Sequence, residues 1–152
     1  MMRSALPPLL FAAVCDKIIS IQFYAADAIR PPKGVFSMVR RADSLSVQYN
    51  EHMRGGDGTV ELRHFLNKED FQGKGRLFSM ITLQPGCSIG YHVHENEAEI
   101  FAVLEGEGRF NDNGAEIAIS AGDVTVTDSG EGHGVACVGD KPLRLAALII
   151  YR

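Results

Sequence analysis

The sequence predicts an all-β domain, because many short strand-like segments are separated by glycine turns and helical patterning is almost absent. Strands are predicted at residues 59–65, 77–83, 90–94, 99–104, 116–119, 124–127 and 143–151. The segment Asp112-Asn113-Gly114 favours a tight hairpin, because Asn-Gly tolerates the positive φ angles of a two-residue turn. Asn67 begins one short helical segment, which Gly73 ends. Short strands at this spacing are typical of a sandwich or barrel.

The chain of 152 residues is long enough for one domain with a full core. Residues 38–152 are predicted to form this single barrel domain. Residues 1–37 carry little charge and several prolines, and they are predicted to be an N-terminal extension. This extension is either disordered or, through the alternating apolar residues of 18–24, an added edge strand.

The overall charge excludes several classes of partner. A formal net charge of -4 leaves no basic surplus to neutralise phosphates, so no nucleic-acid partner is expected. Arg40-Arg41 is too small a basic cluster for a membrane surface, and the apolar segment 6–14 is too short to span a bilayer. The three cysteines form no C-x-x-C pair, which favours a reducing, cytoplasmic location.

The chemistry is concentrated around two histidines. His92 and His94 are two residues apart, so on a strand both side chains project from one face and form a ready pair of metal ligands. Glu99 follows on the next predicted strand and shares its face with Phe101 and Val103. A carboxylate on an otherwise apolar face is unfavourable unless it is paired or binds a cation.

These residues resemble the first motif of the cupin superfamily, G-x5-H-x-H-x3/4-E-x6-G. Gly86, His92, His94, Glu99 and Gly106 fit each fixed position. The second motif, G-x5-P-x-G-x2-H-x3-N, is matched in part. Its fixed positions here read Gly122, Asp128 in place of proline, Gly130, His133, and Cys137 in place of asparagine.

The resemblance implies a double-stranded β-helix, or jelly roll, that holds one divalent transition metal ion. The implied ligands are His92, His94, Glu99 and His133, which we call the histidine–glutamate cluster. Such ligands suit Fe, Mn, Ni, Co, Cu or Zn, and they leave about two positions of an octahedral ion open. The expected function is metal-dependent isomerase, dioxygenase, decarboxylase or lyase chemistry on a sugar derivative, organic acid or enol. The alternative is a non-catalytic cupin that binds or senses a small molecule.

Several strands carry apolar residues on both faces. Ile100, Ala102 and Leu104 alternate with Phe101 and Val103. Since only one face can fill the barrel, the other requires a cover. Together with the resemblance to the family, whose members commonly form dimers, the second apolar face predicts a homodimer.

Other residues near the motifs have alternative interpretations. Glu97 is an alternative carboxylate ligand, because on a strand its side chain would lie on the same face as that of Glu99. Its place in a turn and the spacing of the family motif favour Glu99. His52 and His64 match no motif position and are predicted to be surface residues. Cys137 is predicted to pack as a small buried side chain. No residue beside the metal ligands is identified as a catalytic base or nucleophile.

Overall fold

The computed structural model describes residues 38–152, and it contains the predicted all-β architecture. Its ten strands are β1 Val47–Glu51, β2 Thr59–His64, β3 Gly75–Leu83, β4 Ser88–Val93, β5 Glu97–Glu105, β6 Glu107–Asp112, β7 Ala115–Ser120, β8 Val124–Thr127, β9 Gly132–Cys137 and β10 Leu143–Tyr151. Short 3-10 turns occur at Ala42–Ser44, Met53–Gly55 and Lys68–Phe71. The predictions for residues 1–37 lie outside the described residues.

The strands form two antiparallel sheets. The larger has six strands in the order β1-β2-β3-β10-β5-β8, and the smaller has four in the order β4-β9-β6-β7. Neighbours that are distant in sequence, such as β3 and β10, pair along most of their length. This arrangement is the double-stranded β-helix that the sequence predicts. In the described part of the chain, no helix is long and apolar enough to cross a membrane.

The predicted hairpin is confirmed between β6 and β7. Its two loop residues, Asn113 and Gly114, have φ angles of 49° and 97°. Both angles are positive, as a two-residue turn of this kind requires. The predicted helical segment is the 3-10 turn Lys68–Phe71, where the Asp70 carboxylate accepts the backbone N–H of Asn67 at 2.7 Å.

The core lies between the inner faces of the two sheets. Phe101, Leu145 and Ile81 are each at most 1% exposed, and they project from the six-stranded sheet towards Val135 and Phe110 of the smaller sheet. The outer face of the six-stranded sheet is also apolar. One row across it consists of Val126, Ile100, Leu148 and Phe78, in register on β8, β5, β10 and β3.

Candidate metal centre

The structure brings the four residues of the histidine–glutamate cluster together from both sheets. His92 on β4 lies directly opposite His133 on β9, within the four-stranded sheet. His94 follows β4 immediately, and its backbone continues the pairing, with its N–H donating to Glu131 O at 3.0 Å. Glu99 projects inward from β5 of the six-stranded sheet, where it is only 4% exposed. The gap between the sheets is therefore where the four side chains converge.

The potential ligand atoms of the cluster all lie within 4.8 Å of one another. Glu99 Oε2 is 3.0 Å from His133 Nε2, 3.1 Å from His94 Nε2 and 3.9 Å from His92 Nε2. The Nε2 atoms of His94 and His133 are 3.3 Å apart. His94 and His133 are buried, at 2% and 1% exposure, whereas His92 is partly exposed. Three ring nitrogens and one carboxylate oxygen thus face a common point.

The other nitrogen of each ring has a partner of its own. His92 Nδ1 donates to the Gly90 carbonyl at 3.0 Å, and His94 Nδ1 donates to Glu97 Oε1 at 2.8 Å. His133 Nδ1 pairs with the Thr127 hydroxyl at 2.8 Å. Such partners fix the orientation of a ring and leave the Nε2 lone pair for a metal.

The electrostatics of the cluster keep Glu99 ionised despite its burial. Burial alone would raise the pKa of Glu99, but hydrogen bonds and positive charge from His133 and His94 outweigh it and lower the pKa to about 2. The hydrogen bond to Glu99 raises the pKa of His94, although burial opposes this effect. Burial lowers the pKa of His92. Glu99 is therefore a buried anion stabilised by its imidazole neighbours, and a divalent cation could take over that role.

The donor set itself suits a transition metal. Imidazole nitrogen together with carboxylate oxygen binds divalent ions such as Mn, Fe, Ni, Co, Cu and Zn. Phe101 stacks on His133 with ring centroids 5.0 Å apart and planes 16° apart, which limits rotation of that ring. The cluster can hold a metal ion without a change of fold.

Glu97, the rival carboxylate, lies on the far side of His94 from the cluster. Its Oε1 contacts His94 Nδ1, and both its oxygens bind the guanidinium of Arg76. The hydrogen bond with Arg76 is the main reason that the pKa of Glu97 is lowered. Glu97 is therefore placed as a partner of a histidine, and sequence parity alone did not identify this contact.

Hydrogen bonds of Asp128 hold the turn before His133, at the position where the resembled motif has a proline. The N–H of Asp128 donates to Glu131 Oε2 at 2.8 Å, and its carboxylate accepts from Arg152 Nε at 2.9 Å. The same carboxylate accepts the Ser129 N–H at 2.9 Å. These bonds fix the turn in place of a proline ring.

A cavity of about 520 Å³ opens onto the cluster. His92, His94 and Glu99 contribute to its wall, as do Arg54 and Arg76. The other lining residues are Gln48, Asn50, Glu51, His52, Met53, Leu62, His64, Leu77 and Ile149. A small molecule in this cavity would reach the cluster directly.

His52 is a surface residue, as predicted, whereas His64 is only partly exposed, and both line this cavity. His64 is 2.9 Å from the hydroxyl of Ser79. Position in the strand could have revealed His64, because it lies two residues after the buried Leu62 and shares its face. Cys137 is buried, as predicted, with 3% exposure.

The turn Met53–Gly55 packs tightly against β4 beside the cluster. Gly90 allows this approach, because a Cβ at that position would collide with the Arg54 carbonyl. His52 and Arg54 adopt left-handed φ angles of 48° and 57°, which side chains other than glycine rarely do. Such conformations are often concentrated near functional sites. Gly90 therefore supports both His92, through its carbonyl, and the cavity wall at Arg54.

Comparisons with known proteins agree with this fold. Residues 79–151 match the family model described as a cupin domain. An oxalate-binding protein from Thermotoga maritima is 47% identical over 113 residues, which cover 74% of this chain and 93% of that protein. The chain therefore belongs to the cupin family.

Two solved structures support the fold. A crystal structure described as a predicted oxalate decarboxylase from Thermotoga maritima has a TM-score of 0.73 and 46% identity, covering 76% of this chain and 100% of that one. A Klebsiella pneumoniae protein with a double-stranded beta-helix domain has a TM-score of 0.56 and 20% identity, covering 76% and 90% of the two chains. The second likeness concerns the fold alone.

Proposed function

We propose that this protein binds a divalent transition metal on the histidine–glutamate cluster and, through that metal, a small organic acid such as oxalate. One observation supports the metal site above all. The Nδ1 atom of each of the three histidines has its own hydrogen-bond partner, and the three Nε2 atoms therefore point towards the carboxylate of Glu99. The name of the Thermotoga maritima relative, an oxalate-binding protein, supports the class of ligand.

The chemistry of the two partners is compatible. Four protein ligands leave about two positions of an octahedral ion, and a carboxylic acid with two neighbouring oxygens can fill both. The cavity reaches the cluster on the side of His92, His94 and Glu99, so a ligand can approach from there. Arg54 on the same wall favours an anion, whereas Arg76 is already paired with Glu97.

A second candidate is metal-dependent catalysis on the same acid. The solved structure described as a predicted oxalate decarboxylase favours decarboxylation. That reaction breaks the C–C bond of oxalate, releases carbon dioxide and, after uptake of one proton, leaves formate. A bound metal would supply electrostatic stabilisation of the acid. Product analysis for formate separates catalysis from binding alone.

The test begins with metal analysis of protein purified without an affinity tag. Titration calorimetry of the metal-loaded protein with oxalate then measures binding of the acid. His133→Ala should abolish metal binding and acid binding together, whereas His52→Ala should retain the metal, because His52 lies outside the cluster. Metal retention after loss of His133 would contradict the proposed site.

We also propose a homodimer in the cytoplasm. The apolar row Val126, Ile100, Leu148 and Phe78 on the outer face of the six-stranded sheet supports an interface between copies. The free thiols of Cys87 and Cys137 suit a reducing compartment.

A further inference from the structure

The wall of the cavity away from the cluster carries a histidine held in a defined orientation. His64 on β2 lies directly opposite Ser79 on β3. Ser79 is 0% exposed, and its hydroxyl is 2.9 Å from His64 Nδ1. A buried hydroxyl is unfavourable without a hydrogen-bond partner, and His64 satisfies it. The serine therefore anchors the imidazole.

This anchoring determines which ring nitrogen can serve a ligand. The Ser79 hydroxyl can donate to Nδ1, and in that tautomer the ring carries its proton on Nε2. That nitrogen lies 3.4 Å from Gln48 Oε1, which is a long hydrogen bond. Both residues line the cavity. His64 can therefore donate its Nε2 proton to an oxygen atom of a bound molecule.

His64 and Glu99 face the same interior from well-separated strands. Their strands, β2 and β5, are separated by β3 and β10 in the six-stranded sheet. Three strand spacings correspond to about 14 Å along the sheet before curvature. Oxalate, which has only two carbons, is much shorter than this strand separation.

The size of the cavity leads to the same conclusion. Oxalate has six non-hydrogen atoms, which occupy less than about 180 Å³ even at the volume of one water molecule each. The cavity volume is about 520 Å³. The cavity, whose wall includes His64, therefore has room for a molecule longer than oxalate.

We propose that His64, oriented by Ser79, is a second anchoring group, and that the ligand is an organic acid longer than oxalate with a second oxygen-bearing group. One end would bind the metal and the other would accept the His64 hydrogen bond. A four-carbon dicarboxylate or a five-carbon oxo acid has this form. The inference rests on the proposed metal-dependent binding of an acid and adds the part of the ligand remote from the metal.

The experiment compares oxalate, succinate and 2-oxoglutarate by titration calorimetry on the manganese-loaded full chain. We expect at least one longer acid to bind more tightly than oxalate. His64→Ala should weaken binding of that acid by about tenfold, which is the effect of one lost hydrogen bond to a charged group. The affinity for oxalate should change less than twofold. His64→Gln should restore part of the affinity, because its amide can donate.

Two further variants separate ligand contact from folding. Ser79→Ala should weaken binding of the longer acid in the same direction but less. Thr82→Ala, on the opposite face of the same strand and outside the cavity wall, should leave the ratio of the affinities for the acids unchanged. If His64→Ala changes the affinities for oxalate and for the longer acid equally, or changes neither, the inference is wrong. If the protein binds oxalate but neither longer acid, the inference about His64 is wrong and the proposed function stands. If it binds none of the three acids, the proposed function is contradicted as well.

Discussion

Arg76 on β3 binds both carboxylate oxygens of Glu97 on β5, with Nε 2.7 Å from Oε2 and Nη2 2.5 Å from Oε1. Glu97 Oε1 also lies 2.8 Å from His94 Nδ1. The guanidinium of Arg76, in the cavity wall, is thus linked through the carboxylate of Glu97 to the imidazole of His94 in the histidine–glutamate cluster. Carboxylates in this position strengthen the donor atom of a histidine and fix its orientation.

Glu97→Gln should therefore lower the affinity of the cluster for a divalent metal by about 10- to 100-fold, since the charged partner of His94 is lost. Competition titration with a coloured chelator measures this change. Glu95→Gln is the matched control, because Glu95 is an exposed residue of the same turn. Equal affinities of the two variants would contradict a role for Glu97 in the site.

Thr127→Val should also reduce metal affinity, because it keeps the side-chain shape but removes the hydroxyl that pairs with His133 Nδ1. Thr125→Val on the same strand is its control. Within the described residues, the buried Oγ1 of Thr125 has no hydrogen-bond partner, so its removal should leave metal affinity unchanged and should not destabilise the fold. If both variants bind metal like the unmodified protein, the hydroxyl of Thr127 is not needed to orient the ring.

Gly90→Ala should destabilise the fold by about 1–3 kcal/mol, because the new methyl group would force the Arg54 backbone away from β4. It should also weaken metal binding, since the Gly90 carbonyl holds His92. Gly139→Ala is the control, because its Cβ would meet Glu107 at an ordinary 3.6 Å. Urea unfolding measures both stabilities, and a Gly90 variant as stable as the Gly139 variant would refute the tight packing.

The full chain should be a dimer by light scattering at micromolar concentration, and Val126→Lys should shift it towards monomer. A lysine on the apolar row of edge strand β8 would bring a charge into the proposed interface. Val138→Lys is the control. Val138 is 54% exposed, close to the 59% of Val126, and it lies outside the strands. A monomeric unmodified chain, or equal effects of the two lysines, would contradict this interface.

Local patterns were sufficient to predict most strands and the pairing of His92 with His94, whereas the complete cluster was predicted from the resemblance to the cupin motifs. The two-residue spacing of His92 and His94 places both on one face, and the Asn113-Gly114 pair determines its own turn. Three strands were not predicted: β1, β6 and β9. β1 alternates apolar and polar residues, but it is short and its apolar side chains, Val47 and Tyr49, are exposed. β9 contains glycines that weaken a strand pattern.

The partners of the cluster could not be predicted, because they depend on tertiary structure. Thr127 lies opposite Glu99 through the pairing of β8 with β5, and that register brings its hydroxyl to His133. Arg76 reaches Glu97 from a strand 21 positions earlier in the chain. Neither relationship has a signature in local residue spacing.

The distribution of the cluster between the sheets has a dynamic consequence. His92 and His133 belong to one sheet and Glu99 to the other, so a cation bound by all three would cross-link the two layers. Without it, contacts across the layers at this end include those of Glu99 with His94 and His133 and the stacking of Phe101 on His133. We expect backbone amides of β4 and β5 to exchange faster with deuterium when the metal is removed, while those between β3 and β10 change little. The metal would then regulate how often this end of the barrel opens.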